Sequence, residues 1–502
     1  MNSCKLILPL LIMPILSIQA QEKHIHSDMD SLEIMRLIPE RKQGSVDIVT
    51  EDRMNKGLVT NSLNALSGQA AGVNVTSGEN RMAQLSSVRV RGTTSLTGGN
   101  DPLVIIDGVY SDLSTLSSIY PADIESFTIL KNASETAKYG SRGASGVIQV
   151  TTKKGHGSQF HISYDGNIGF ESKYKTIDML QRDGYISTAK TLGLDYNDGG
   201  YNTNFQDAIT RTGFVQNHHI AFSGGSESSN YRASIGVMDH KTIVKVNEYQ
   251  NFTAKFDLSQ KAFDNLLSID FGVFGASQKN NYIFDEQKLF YSAATQNPTF
   301  PAGMNTSGGW DKNSTASQIN PPGALLKEKN DEKNMNFNTH LGLDFTLDKE
   351  LHLKLFGSYS YNSIENGVFC PTWVWAQGQA YRGEHKTEDM LGNATLEWKH
   401  SWGIHSIAAT AMTEYQKSKH SGFWTLVKGF TTNELGYDNL AAASTRPYGG
   451  TGSDYTESSL ASAMGSVSYT LMKRYTVAGN MRADGSSMFG KNNKWGIFPS
   501  IS

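Results

Sequence analysis

Residues able to do covalent or metal chemistry are few in this chain, and their spacing suits none of the common reactions. Gly143-Ala144-Ser145-Gly146 falls one residue short of the G-x-S-x-G nucleophile elbow. It also precedes a strand-forming run, whereas an elbow turns from a strand into a helix. The sequence holds no P-loop, no H-E-x-x-H and no spaced Cys/His cluster. Cys4 lies in an expected leader, which leaves Cys370 alone, so an internal disulfide and a cysteine-based zinc site are both excluded. His24 and His26 are an isolated pair in a polar stretch, the pattern of a solvated terminus. The reading is of a protein that is not an enzyme and needs no cofactor or metal.

Composition points elsewhere. Lys+Arg (45) nearly balance Asp+Glu (48), a net charge of -3 over 502 residues. Such a balance offers no surface for a polyanion, so nucleic acid is a poor partner. Mean hydropathy is -0.39, and after residue 20 no apolar run is long enough for a transmembrane helix. A membrane β-barrel is still allowed, because its strands alternate apolar and polar residues and average out as hydrophilic. Residues 1–20 carry Lys5, an apolar run from Leu6 to Leu16, and Ala20. This is the pattern of a secretory signal peptide cut after Ala20. Pro9 and Pro14 disfavour a buried helix there. Residues 21–44 read as a flexible polar segment.

Two kinds of element follow. Over 45–156, short apolar runs alternate with Gly, Asn, Asp and Ser, as in a small α/β module. Ser87 to Gly92 alternates as a strand, with Val88 and Val90 inward and Arg89 and Arg91 sharing the other face. Leu103 to Ile106 reads as a strand buried on both faces, ending in the turn pair Asp107-Gly108. Pro121 to Glu125 reads as a short helix and Phe127 to Leu130 as a strand. Ala133 to Tyr139 reads as a helical turn stopped by Gly140, and Gly146 to Thr152 as a closing strand. From Phe160 onward the strands are long and alternate. Leu341, Leu343, Phe345 and Leu347 share a face, as do Leu351, Leu353 and Leu355. Leu267, Ile269, Phe271 and Val273 oppose Ser268, Asp270 and Gly272.

Connection lengths distinguish a barrel from a soluble sandwich. Strands are expected at 160–170, 215–224, 230–239, 249–259, 266–279, 334–347, 351–363, 387–399, 404–417, 458–471 and 475–484, with another starting near Ile497. The intervening connections are alternately short and long, as periplasmic turns and external loops are in an outer-membrane barrel. A plugged transporter closes with about 22 strands, and about twelve are legible here. The expected fold is therefore a transmembrane antiparallel β-barrel, incomplete at about half its strands, with an N-terminal α/β module. The resemblance described next implies that this module, residues 45–156, is an α/β plug domain and that 157–502 is the N-terminal half of the barrel of a longer receptor.

The module resembles the plug domain of TonB-dependent outer-membrane receptors, and specifically the SusC/RagA family. The matching blocks are Leu66-Ser67-Gly68-Gln69-Ala70-Ala71-Gly72-Val73, Val88-Arg89-Val90-Arg91-Gly92, and Pro102-Leu103-Val104-Ile105-Ile106-Asp107-Gly108-Val109. Asp123-Ile124-Glu125-Ser126, Leu130-Lys131-Asn132-Ala133-Ser134, and Tyr139 through Ile148 continue the match, which returns over Gln216 to Asp239 and Arg482 to Ser502. The resemblance implies import across the outer membrane, with a SusD-like surface lipoprotein as lid and TonB (with ExbB and ExbD) pulling on the plug. Glycans and oligopeptides are the implied ligands. The residues expected to gate or to touch the barrel are Arg89, Arg91, Gly92, Asp107, Gly108, Tyr139, Gly140, Arg142, Gly143 and Gly146. Arg89, Arg91 and Arg142 are expected to face the wet barrel interior. Ser45-Val46-Asp47-Ile48-Val49-Thr50 is the β-prone candidate for a TonB box, and equally a first plug strand. Trp310, Trp373, Trp375, Tyr381 and Trp424 are expected in the long loops. There they serve either to stack on ligand rings or to pack loops and form an interfacial girdle. A siderophore or vitamin receptor, a structural or adhesive barrel, and a non-functional truncated product are the alternatives.

Overall fold

The computed structural model describes residues 46–76, 87–90, 92, 99–312, 320–490 and 492–501. The expected signal peptide, the 21–44 segment and Arg91 lie outside the described residues. No helix among them is long and apolar enough to cross a membrane.

Short apolar runs broken by turn residues make the first unit. Its strands are β1 (Asp47–Thr50), β2 (Val73–Thr76), β3 (Ser87–Val90), β4 (Leu103–Ile106), β5 (Val109–Ser111), β6 (Ile124–Leu130) and β7 (Val147–Thr152). Five form a sheet in the order β1-β6-β7-β4-β5, and β2 pairs with β3 separately. Val88 and Val90 are buried in the module's core with Leu63, Leu116, Ile124, Phe127 and Ile148, as the alternation predicts. The 3-10 turn at Pro121–Asp123 stops earlier than expected, because Ile124 and Glu125 already belong to β6. Asp47–Thr50 pairs with Ser126–Ile129 of β6, and Val49 is fully buried. The segment is therefore an edge strand of the plug, which settles the choice left open by its β-prone sequence.

Strict alternation then builds one long antiparallel ladder. It runs through β8 (His161–Glu171), β9 (Gly213–Gly225), β10 (Ser229–Lys241), β11 (Glu248–Ala262), β12 (Leu267–Asn281), β13 (Lys329–Asp348) and β14 (Leu351–Cys370). It continues with β15 (Gln379–Trp402), β16 (His405–Phe430), β18 (Thr451–Leu471), β19 (Tyr475–Ser486) and β20 (Trp495–Ile501); the short β17 (Ala443–Thr445) pairs only with β16. Every strand expected from the sequence is present and paired with its neighbour. β8 pairs only with β9 and β20 only with β19 among the described residues, so the ladder is open and supplies about half of a barrel of about 22 strands.

The two faces differ as a barrel requires. On β11, Asn251, Thr253, Lys255 and Asp257 are buried against the plug, while Phe252 and Phe256 are exposed on the other side. Leu341, Leu347 and Leu355 are likewise exposed on that outer face, the band a hydrocarbon layer would cover. Several strands are longer than the sequence pattern indicates. β15 has 24 residues and β16 has 26, whereas spanning needs about 9–11. The excess extends toward the long-loop end, where polar outer residues such as Lys386 and Lys417 end the apolar alternation without ending the hydrogen-bonded ladder. Two of the long connections share a small apolar core among their described residues, closed by Phe205, Ile209, Leu289, Phe300 and Leu325.

Candidate plug–barrel interface

The plug meets the ladder through three polar clusters and through an apolar patch where Phe274 and Ala276 of β12 join the plug's own core. The first centres on Asp123, at the end of the Pro121–Asp123 turn. Its carboxylate accepts from Arg232 of β10, and from Ser234 Oγ at 3.0 Å. His219 Nε2 of β9 lies 3.0 Å from Asp123 Oδ1, and its ring stacks on Tyr120 with centroids 4.7 Å apart. Burial alone would raise the Asp123 carboxyl, but His219 and Arg232 hold it down to about 2.

The second cluster sits under the β4–β5 hairpin. Asp107 and Gly108 both have positive φ (48° and 87°) and form its two-residue turn, the geometry that Asp-Gly favours. Thr152 donates to Asp107 from its backbone N–H (2.9 Å) and its hydroxyl (2.6 Å). Lys255 Nζ lies 3.7 Å from the same carboxylate and also pairs with Asp257. Lys154 donates to Asp270 (2.5 Å), whose other oxygen lies 3.0 Å from His340 Nε2. Burial works to raise the Asp107 carboxyl, yet Lys255, Lys154 and Thr152 hold it below its ordinary value. A Cβ at Gly108 would come 3.1 Å from the Phe356 ring of β14, so the turn itself lies on the barrel wall.

The third cluster is built by the barrel. Arg482 of β19 is 2% exposed. It donates to Glu414 (2.9 Å), Asp484 (2.7 Å), Ser462 (2.9 Å) and the backbone carbonyl of Lys138 in the plug (2.6 Å). Tyr110 of β5 faces the same Glu414 at 3.4 Å. Gly140 (φ 58°, ψ -142°) kinks the chain beside this cluster. A methyl group there would overlap Asp484 Oδ2 and come 2.9 Å from Arg482 Nε. Gly140 thus lets barrel charges approach the plug backbone.

The sequence-derived plug residues separate accordingly. Asp107, Gly108, Tyr139, Gly140 and Arg142 lie at or beside these clusters. Tyr139 accepts from Gln149 (2.7 Å) and packs edge-on against Tyr110. Arg142 lies over the Tyr110 ring at 5.5 Å. Gly143 and Gly146 are tight packing points inside the plug, against Thr136 and Val90; among the described residues none comes within 4 Å of a Cβ placed at Gly92. Arg89 pairs with Asp101 of the plug in an exposed ion pair and bonds the Val88 carbonyl, on the strand face opposite the module's core. Arg482, Glu414, Asp484, Arg232 and Lys255 were not singled out from the sequence, and Asp270 was placed only on the polar face of its strand. Their signal was available: each is charged at a strand position whose parity faces inward.

The long-loop aromatics fall into separate groups. Trp310 and Trp373 come together, with ring centroids 6.4 Å apart, and Asn320 Nδ2 donates to the Val374 carbonyl beside them. Trp375 stands apart, with Lys428 Nζ 5.8 Å from its ring centre. Tyr381 and Trp424 are not in loops. They lie on β15 and β16, where the ladder runs on past its apolar part, and Trp424 stacks on His385 at 6.5 Å.

Known proteins share this architecture. A family model described as the TonB-dependent Receptor Plug Domain matches residues 39–147. The TonB-dependent receptor SusC of Bacteroides thetaiotaomicron is 32% identical over 91% of this chain and 49% of its own length. TonB-dependent receptor P3 of Formosa agariphila is 30% identical over 91% of this chain and 46% of its own. The chain spans about half the length of the curated relatives it matches. The solved structure of the RagAB peptide transporter superposes with a TM-score of 0.78 at 21% identity, covering 92% of this chain and 57% of that one, a likeness of fold. A plug seated on an open run of barrel strands and a SusC relative aligned along nearly all of it agree: the chain belongs to the SusC/RagA family of TonB-dependent receptors.

Proposed function

We propose that this protein works in the bacterial outer membrane as a TonB-dependent importer of a glycan or an oligopeptide. Residues 45–156 act as the stopper and residues 157–502 as the first half of the pore wall. Export by a signal peptide over 1–20 brings it to the membrane. TonB, with ExbB and ExbD, supplies the pull, and a SusD-like lipoprotein supplies the external lid. The observation that carries this reading is the chemistry of the plug–barrel contact. Ion pairs and hydrogen bonds hold the plug in place, and water can replace them as the plug shifts. An extended apolar seam would instead expose greasy surface on every opening. The name of the RagAB peptide transporter supports the oligopeptide class, and the resemblance to the SusC/RagA family carries the glycan class.

The test is a deletion strain grown on a panel of glycans and oligopeptides as sole nutrients, with and without TonB. Loss of growth on one such nutrient, reproduced by removing TonB, is expected. Affinity purification of the tagged protein should retain a SusD-like lipoprotein. A deficit confined to ferric siderophores or cobalamin, or uptake that persists without TonB, overturns the reading.

A further inference from the structure

Well away from the plug clusters, three adjacent strands bring together His385 (β15), His420 (β16) and Asp454 (β18). One ligand atom from each can be chosen so that all lie within 4.8 Å of one another. Their side is fixed by strand parity. Glu414, which bonds Arg482 and Tyr110 against the plug, faces inward on β16. Pairing is unbroken from Glu414 through His420 and Gly422, so these share its face. Gly422 pairs with His385 on one side and Asp454 on the other. All three side chains therefore stand on the inner wall at the long-loop end.

Two further features fit a bound cation. Gly422 lies between His385 and Asp454 and contributes no side chain; a Cβ there would overlap Asp454 Oδ1 and come 2.7 Å from His385 Nδ1. The imidazole nitrogen and the carboxylate thus converge over a gap that any other residue would fill. His420 supplies the third donor, with Nε2 3.1 Å from Asp454 Oδ2. Its other nitrogen, Nδ1, lies 3.2 Å from the Thr387 hydroxyl. That hydroxyl can accept from Nδ1–H, the outer-shell bond that leaves Nε2 free to bind a metal.

We propose that His385, His420 and Asp454 form a site for a divalent transition metal on the inner wall of the long-loop end. Two imidazoles and one carboxylate suit zinc, nickel, copper or ferrous iron, and not the all-oxygen preference of calcium or magnesium. A tetrahedral ion with bonds of about 2.0–2.1 Å holds its ligand atoms roughly 3.4 Å apart. His420 and Asp454 already meet that spacing, and rotation of His385 brings its nitrogen in. Three protein ligands leave a coordination position open toward the lumen, and the ion ties β15, β16 and β18 together at the rim. This site is independent of the import reading, since nothing in it requires a particular nutrient.

The full protein in detergent, stripped with a chelator, should be titrated with Zn²⁺, Co²⁺ and Ni²⁺. One Zn²⁺ per chain is expected by calorimetry, with visible d–d bands for Co²⁺ and quenching of Trp424 by Ni²⁺ through the stacked His385 ring. H385A, H420A and D454A should each abolish the Co²⁺ bands, and T387V should weaken Zn²⁺ binding about tenfold or more. The His420 and Asp454 side chains are 42% and 40% exposed, so these variants keep the fold, which near-ultraviolet circular dichroism verifies. G422A should block binding with every ligand retained. No Zn²⁺ binding at micromolar concentration, or binding that survives the three ligand substitutions combined, overturns the proposal.

Discussion

Replacing Arg482 with Met tests how the plug is held. The guanidinium is 2% exposed and neutralises Glu414 and Asp484, both nearly buried, while also bonding the Lys138 carbonyl of the plug. R482M keeps most of the side-chain volume and removes the charge. It leaves two carboxylates facing each other in a poorly solvated pocket, and breaking a buried ion pair in this way costs about 3–5 kcal/mol. The orphaned Lys138 carbonyl adds roughly 1–3 kcal/mol. Only the part of this cost that the chain relieves by unseating the plug acts on gating. If about 3 kcal/mol does so, the unseated fraction rises about a hundredfold, since 1.4 kcal/mol is tenfold. The assay is passive entry of a large antibiotic into cells lacking TonB, supported by swelling rates of proteoliposomes. R482M should leak, and the triple variant R482M/E414Q/D484N should leak less, because its uncompensated charges are gone. A single variant as tight as the wild type, or a triple variant as leaky as the single, would refute the argument that ionic pairing at this corner seats the plug.

Three other outcomes follow from the same geometry. G140A should leak like R482M, since its methyl group overlaps Asp484 Oδ2 and a non-glycine residue at this φ and ψ, which only glycine adopts readily, adds about 1–3 kcal/mol; the same antibiotic assay reads it. R89A should leave permeability unchanged and lower stability by less than about 1 kcal/mol, because its partner Asp101 is exposed; thermal melts against the wild type check this. Asp123 gives a pH signature. Its carboxyl falls from an ordinary 3.8 to about 2 in the folded protein, so the charged form is favoured by folding. That stabilisation, roughly 2 kcal/mol, is present above about pH 4 and is lost as pH falls through about 2. The stability difference between wild type and D123N should therefore shrink between pH 4 and pH 2 in denaturant titrations, and a constant difference would contradict it.

The barrel strands were legible because their alternation is a one-dimensional signal. Leu341, Leu343 and Phe345 repeat with period two, and the ladder pairs them as that period requires. Strand ends were less legible. The segment holding Tyr381, Phe423 and Trp424 reads as loop because its outer face turns polar, yet it is strand. Backbone hydrogen bonding continues where hydrophobic burial stops, and side-chain pattern reports only the latter. The Asp47–Thr50 segment had the opposite difficulty: four β-prone residues look the same whether they await a partner strand or already have one, and only the β6 pairing distinguishes the two.

By itself the sequence determined the strand ladder, the alternation of short and long connections, and the module that fills the barrel. All of these depend on residues close together in the chain. Tertiary structure alone decided which charges meet. Arg482 reaches the Lys138 carbonyl across 344 positions, Arg232 reaches Asp123 across 109, and His385 and Asp454 converge over Gly422. The reason is physical: strand parity sends a side chain to one face, but its partner on that face is set by strand order and register, and these exist only once the sheet has formed.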